Sequence, residues 1–528
     1  MPDIRYIDKD FVRFTFSDFN GEDKRATLAF GDKVDVLEEG EGSKPSRVRA
    51  LELFDGTLEG TVARKPFRGR DKGVLKFSMV DVQQGDGMIL ETPPDENDET
   101  RIVFIDGGDN KLFARHVAAR YHHRKSSAAS PLEVDLILIT HGDADHFDGL
   151  NDIKRSETER SISARKRLFI HPRRVYHNGL VKAPDHLKLK SLGRTIPHNG
   201  TPMIVDLYDD PRDAPGEMQN GPFKRWGKTL TQWEERDNIT FKRVAHGMNA
   251  DQLFSFLGPA VKVESQGPFT VEVTDPQDGK RKDALPFLHK PPESVLLHLE
   301  EGADPDSDDF SVSHTINGHS IALRLTYGNV RFNLTGDLNQ ESMALMRQNI
   351  DLADLEAEVV KAPHHGSADF DFEALKAMRP VVSLISSGDE SANKEHIHPR
   401  ATLVSALGKV SRGKTGIILC TELAAFFTKR DYSHQRELIA KFYEGDEAIT
   451  RAGLRKFYGS KPRSREDEQA LPSFYGFERT NFGIIHVRTD GERVLVFTHS
   501  GKEGMREAYR FTVDQNHNIR FAKDVTIG

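Results

Sequence analysis

The chain has 528 residues, with 74 Lys and Arg against 82 Asp and Glu, for a formal net charge of -8. That length suits two to four domains and at least one large core; the charge balance excludes a surface coated in basic residues but not a local nucleic-acid groove. One cysteine, Cys420, excludes an internal disulfide framework, so any metal site must draw on carboxylates and the 22 histidines.

Residues 1–70 read as a small β-barrel, with strand candidates at 12–16, 26–30, 32–37 and 56–62 separated by Gly- and charge-rich turns. The segment 31–36 resembles the opening strand of an SH3-like domain, a unit that could recruit a protein partner or a nucleic acid. Residues 65–73 read as a linker. The N-terminus shows no basic stretch leading into an apolar one, and no apolar run approaches the roughly 20 residues that span a bilayer. The expectation is a soluble, cytoplasmic protein without a membrane part.

From residue 74 longer apolar strands appear at 75–82, 88–91 and 101–105, the last ending in Asp106-Gly107-Gly108. Residues 95–99 form an acidic loop tip. Phe113, His116, Val117 and Arg120 keep a helical spacing. The apolar run 134–140 then delivers His141-Gly142-Asp143-Ala144-Asp145-His146, where a buried strand ends. Residues 151–310 are loop-rich and read as an insertion closed by an acidic linker at 300–309. Strands return at 320–327 and 330–334, then a helix at 340–350, with strand signals at 358–361 and 381–385. Alternating strands and helices run to about 430, with Cys420 a buried structural thiol in the run 415–420. Residues 431–528 form an extension that begins as helix and loop and ends in strands at 482–487, 493–497 and 509–513.

The chemistry gathers where strands end. In an extended segment His141, Asp143 and Asp145 share one side, and His146 follows as the chain turns. Imidazole with carboxylate suits borderline and hard divalent cations. Three further apolar strands run into Asp337, into His364-His365-Gly366-Ser367, and into a loop carrying His396-Ile397-His398-Pro399. Each alone has a bland explanation: Asp337 as a helix cap, the paired histidines as a turn. Their joint occurrence is what sheet enzymes use to assemble a site from distant sequence.

In that order, with Val82-Gln83-Gln84-Gly85-Asp86-Gly87 as the opening strand and turn and Asn317-Gly318-His319-Ser320 before the later strand, the motifs resemble the metallo-β-lactamase superfamily. More narrowly, they resemble the hydrolase domain of ComEC competence proteins without their membrane part. The resemblance covers roughly residues 75–430 and implies an α/β fold, an αββα sandwich, with two divalent cations, zinc or manganese. It implies His141 and Asp143 on one cation, Asp145 and His146 on the second, and Asp337 bridging. His364 or His365 completes a shell, the other facing substrate. Asp106 orients a ligand from behind, and His398 holds a phosphate oxygen or protonates the leaving group.

Two departures follow. The usual histidine at Asp143 is a carboxylate, which hardens the site and makes manganese a rival to zinc. The histidine expected before Asp337 has no clean counterpart: Asn317 stands there with His314 and His319 nearby, and His177 is an alternative donor. Hydrolysis of phosphodiesters, nucleic acid first, is the activity implied. Candidate substrate contacts are Ser367 and the basic residues Arg165, Lys166 and Arg167, part of a cationic stretch at 154–174 that reads equally as a solvated helix. Two other functions fit the same motifs: hydrolysis of a small ester or phosphoester, or a regulatory protein with an incomplete metal site.

Overall fold

The structure, a computed structural model, describes residues 2–18, 20–63, 65–69, 73–83, 85–159, 163–289, 310–388, 398–413, 416–422, 483–500, 504–522 and 525. The acidic segment 300–309, the C-terminal residues 431–482, Gln84, His396 and Ile397 lie outside the described residues. Among the described residues two large sheets face each other. The first has ten strands; the second has six.

In the first sheet, Thr240–Arg243, Arg174–His177, Leu136–Leu138 and Ile102–Asp106 run parallel. Gly87–Glu91, Leu75–Met79 and Ile484–Thr489 continue it antiparallel, followed by Arg493–Ser500, Gly504–Val513 and Ile519–Phe521. In the second sheet, Val261–Gly267, Ala322–Tyr327 and Val330–Leu334 are antiparallel, and Val359–Lys361, Val382–Ile385 and Ile417–Cys420 extend it in parallel.

The inner faces share one apolar core, with Phe77 and Met79 from the first sheet against Leu325 and Phe332 from the second. A second core packs helices Leu112–Arg120 and Gly221–Glu234 on the outer face of the first sheet, through Phe113, Val117, Trp226 and Trp233. A third packs Gln340–Asn349, Phe372–Met378 and Ala401–Val410 on the outer face of the second. Ile102–Asp106 and Leu136–Leu138, covered on both faces, carry continuous apolar runs, whereas Leu75–Met79 and Val330–Leu334 alternate apolar and polar residues although every one is buried. This helix–sheet–sheet–helix order is consistent with the αββα sandwich that the resemblance implies. Cys420 ends the last strand of the second sheet and is half-buried; burial pushes its thiol up to about 12.

Two readings shift. The stretch 151–310 is more than an appended insertion: it supplies Arg174–His177 and Thr240–Arg243 to the first sheet and Val261–Gly267 to the second. Its remaining strands form a separate antiparallel sheet of Thr195–His198, Thr201–Ile204, Arg281–Pro286 and Val271–Thr274. The N-terminal unit is a seven-stranded antiparallel sheet wrapped round Phe14, Val34 and Val48. No pairing among the described residues joins its outer strands, Asp23–Ala29 and Phe67–Arg68, so closure into an SH3-like barrel is not established. Arg488, Arg493 and Arg510, from the C-terminal strands, bond Asp32, Asp8 and Asp10 of this unit at 2.7–2.9 Å. One face of the unit is therefore committed within the chain. No helix among the described residues is long and apolar enough to cross a membrane.

Candidate metal centre

The parallel strands of both sheets end at one rim, and that rim carries the polar cluster. Ile102–Asp106 and Leu136–Leu138 are tied there because Asp106 turns back onto the second strand's exit. Its Oδ1 accepts the Thr140 N–H at 2.8 Å and its Oδ2 accepts the Thr140 hydroxyl at 2.7 Å. The same Oδ2 lies 2.9 Å from His146 Nδ1. Across the rim, the Ser320 hydroxyl lies 3.1 Å from His141 Nδ1 and accepts the Asp337 N–H at 2.9 Å, joining the two sheets.

Three imidazoles converge on Asp337. Its Oδ2 is 3.3 Å from His146 Nε2 and 3.0 Å from His365 Nε2. The His141 ring lies against that of His146, tilted by 53° with centroids 4.0 Å apart. Donor atoms of His141, His146 and Asp337 lie within 4.8 Å of one another, as do those of Asp145, His146 and His365. His141 Nε2 is buried with no hydrogen-bond partner. A buried imidazole nitrogen left so, beside carboxylates, is the donor a cation requires.

The charges agree with that reading. Burial, and then the neighbouring His146, push His141 well below its ordinary range, so its lone pair stays available. Burial opposes charge on His146 and His365, but Asp337 with Asp106, and Asp337 with Asp86, outweigh it. His146 is held well above the usual imidazole range, and His365 is raised to about 10. Asp337 lies well below the carboxylate range because His365, His146 and Lys361 overcome its burial. A divalent cation would exchange with the protons that these carboxylates hold on the rings. The donor set thus fits divalent metal ions of the nitrogen- and oxygen-preferring kind.

The other candidates are distributed as follows. His365 reaches the cluster, whereas His364 Nε2 stands 3.9 Å from Asp337 and 3.2 Å from the Asn317 amide. Asp143 Oδ1 is paired with Lys182 Nζ at 3.0 Å, and Asp143 belongs to none of the tight donor groups. His398 is buried beside His364, with centroids 5.6 Å apart. Ser367 accepts the Asp369 N–H through its hydroxyl at 3.2 Å. His177, His314 and His319 are engaged elsewhere. The His177 ring lies 2.9 Å from the Asp209 carbonyl and accepts Gly179 N–H, His314 pairs with Asp369, and His319 bonds the Pro286 carbonyl.

Arg165, Lys166 and Arg167 are not brought to the site. They precede Ile170–Pro172, which pairs in parallel with Leu132–Val134, so they lie where the strands begin. Leu132 and Thr140 are eight positions apart along two strands joined by a bend at Asp135, a span of up to roughly 25 Å.

Two residues at the centre are given no site role by the motif reading, although Asp86 lies within its opening turn. Lys361, the last residue of its strand, and Asp86, in the turn before Gly87–Glu91, are both fully buried. Lys361 Nζ contacts Asp86 Oδ2 at 2.5 Å, donates to the Gly336 carbonyl at 2.6 Å, and lies 3.4 Å from Asp337 Oδ1. Asp86 Oδ1 lies 3.3 Å from His365 Nδ1. A lysine closing an apolar run, and an aspartate between two glycines, were the available clues. Gly85 permits the arrangement: its φ is +99°, and a Cβ there would stand 1.8 Å from the Asp145 carbonyl oxygen.

No family model and no curated protein matches the chain. Among solved structures, it is similar to a diphosphatase of the PhnP family, at 12% identity and a TM-score of 0.25, over 65% of this chain and 94% of that one. It is also similar to a long-form RNase Z from yeast, at 11% identity and a TM-score of 0.28, over 66% of this chain and 41% of that one.

Proposed function

We propose that this chain is a metal-dependent hydrolase of the metallo-β-lactamase type that cleaves phosphodiesters, with nucleic acid as the leading substrate. The observation that carries the reading is the unpartnered, buried His141 Nε2 facing His146 and Asp337 at the rim where both sheets end. His141, His146 and Asp337 would hold one cation; Asp145 and His365, sharing Asp337, would hold the other. Bound there, such a pair supplies a water of lowered pKa and neutralises charge developing on the phosphoryl group.

The chain's own residues do the rest. Asp106 fixes the His146 ring so that Nε2 faces inward. The Asp145 side chain, about a quarter exposed, is the carboxylate best placed to take a proton from an attacking water. His398, behind His364, would hold a phosphoryl oxygen or return a proton to the leaving group. Lys182, at the partly exposed edge of the site, offers an ammonium to an anionic substrate, and Asp143 reaches a cation only by exchanging that partner. The position of Arg165–Arg167 favours a second reading, hydrolysis of a small phosphoester, since that basic group cannot line the same mouth.

The test is metal content together with cleavage of single- and double-stranded DNA, RNA and a generic phosphodiester in zinc, manganese and magnesium. His141→Ala and Asp337→Ala should abolish metal-dependent turnover, while joint replacement of Arg165, Lys166 and Arg167 by Ala leaves it unchanged. Turnover of the generic ester but of no nucleic acid selects the second reading. Activity indifferent to His141 and Asp337 ends both.

A further inference from the structure

The cluster contains a closed ring of alternating charge. Asp86 contacts Lys361, Lys361 contacts Asp337, Asp337 contacts His365, and His365 returns to Asp86, over distances of 2.5, 3.4, 3.0 and 3.3 Å. All four side chains are buried. An ammonium in such a place is rare unless it is both paired and hydrogen-bonded, and Lys361 is both: it donates to the Gly336 carbonyl and to Asp337, and it is ion-paired with Asp86. Asp86 Oδ1 lies 3.3 Å from His365 Nδ1, which also donates to the Ser386 carbonyl at 3.2 Å, while Asp106 Oδ2 lies 2.9 Å from His146 Nδ1; in both rings Nε2 faces Asp337.

We propose that Asp86 and Lys361 are positioning residues that act with opposite sign on cation binding: Asp86 orients His365 and strengthens it, whereas Lys361 holds Asp337 in place as an internal cation and weakens it. The inference rests on the metal-centre reading above. Its physical basis is geometric. A ring fixed by a carboxylate presents one tautomer and one orientation to a metal. An ammonium that already neutralises Asp337 and Asp86 keeps like charges assembled before loading, and it repels a divalent ion brought to the same carboxylate. Lys361 is thus the reason a site so rich in carboxylates can be stable without metal, and the reason loading is not tighter still.

The experiment titrates the full chain with cobalt(II) alone, following calorimetric heat and visible absorption, and records melting in chelator and in excess cobalt. Asp86→Asn, which preserves volume, should weaken one of two bound ions by about 10–100-fold and change its absorption band, leaving the other as in the parent. Lys361→Met should lower the melting temperature in chelator yet tighten cobalt binding by about tenfold or more, so that the melting gain on adding metal exceeds the parent's. Shifted melting with parental affinity in both variants would mean a structural role only and would overturn the inference, as would weaker binding in Lys361→Met. If Lys361→Met does not fold, Asp86→Asn decides alone, parental affinity and spectrum overturning the proposal. A parent chain that binds no cobalt refutes the metal centre itself, which separates the two failures.

Discussion

Replacing Asp106 by Asn is nearly isosteric and changes only which protons the site can place. Oδ1 of the new amide still accepts the Thr140 N–H, now at 2.8 Å. The amide nitrogen then falls where Oδ2 receives both the Thr140 hydroxyl and His146 Nδ1. The hydroxyl can rotate and accept, but two N–H groups cannot face each other at 2.9 Å. His146 must move its proton to Nε2, the nitrogen that faces Asp337, and a protonated nitrogen cannot bind metal. Loss of such an orienting partner typically costs 10–100-fold in metal affinity, or about 1.4–2.8 kcal/mol. Calorimetric titration with manganese or zinc measures it, with Asp106→Glu as a charge-preserving comparison. Parental affinity and stoichiometry in Asp106→Asn would refute the assignment of His146 Nε2 as a ligand.

Three further outcomes follow from packing and charge. Gly85→Ala forces a Cβ into the Asp145 carbonyl at a positive φ, a conformation costing an L-residue about 1–2 kcal/mol before any clash; thermal melting should fall and metal affinity with it. Glu358, fully buried between Arg331 and Arg412, should cost about 3–5 kcal/mol when changed to Gln, read by urea unfolding. His319 is buried and neutral, burial pulling it down to about 4 from an ordinary 6.5. The unfolded chain therefore takes up a proton that the folded one refuses. The penalty is absent above pH 6.5, grows as pH falls and is complete below about 4, near 3 kcal/mol. His319→Gln should flatten that part of the stability–pH curve, and an unchanged slope would count against it.

The strands that sequence reading placed well are those buried on both faces, such as Ile102–Asp106 and Leu136–Leu138, because each carries an unbroken apolar run. Thr240–Arg243 escaped notice because it is a half-buried edge of four mostly polar residues, too short for a period to show. The basic group at 165–167 was misplaced for a topological reason: a crossover to a parallel strand carries the chain back to the opposite end of the sheet, so nearness in sequence to His146 does not mean nearness to the site. Spacing brought out His141, Asp145, His146 and Asp337, since ligands at strand ends stand beside apolar runs. It could not rank His364 against His365, whose backbones both have positive φ; only the tertiary turn decides which ring points inward. Nor could it find Lys361, because a lysine closing a strand reads as solvated until its burial is known.

The pairing of Leu75–Met79 with Ile484–Thr489 has a consequence for how the protein is made. Met79 waits for Ile485, which at ordinary synthesis rates leaves a bare strand edge for roughly 20–80 s. Apolar edges of that kind recruit other chains, and such distant pairing slows folding. A circular permutant that places residues 483–522 ahead of residue 73 would present the missing neighbour first, and its soluble yield on synthesis should exceed that of the native order.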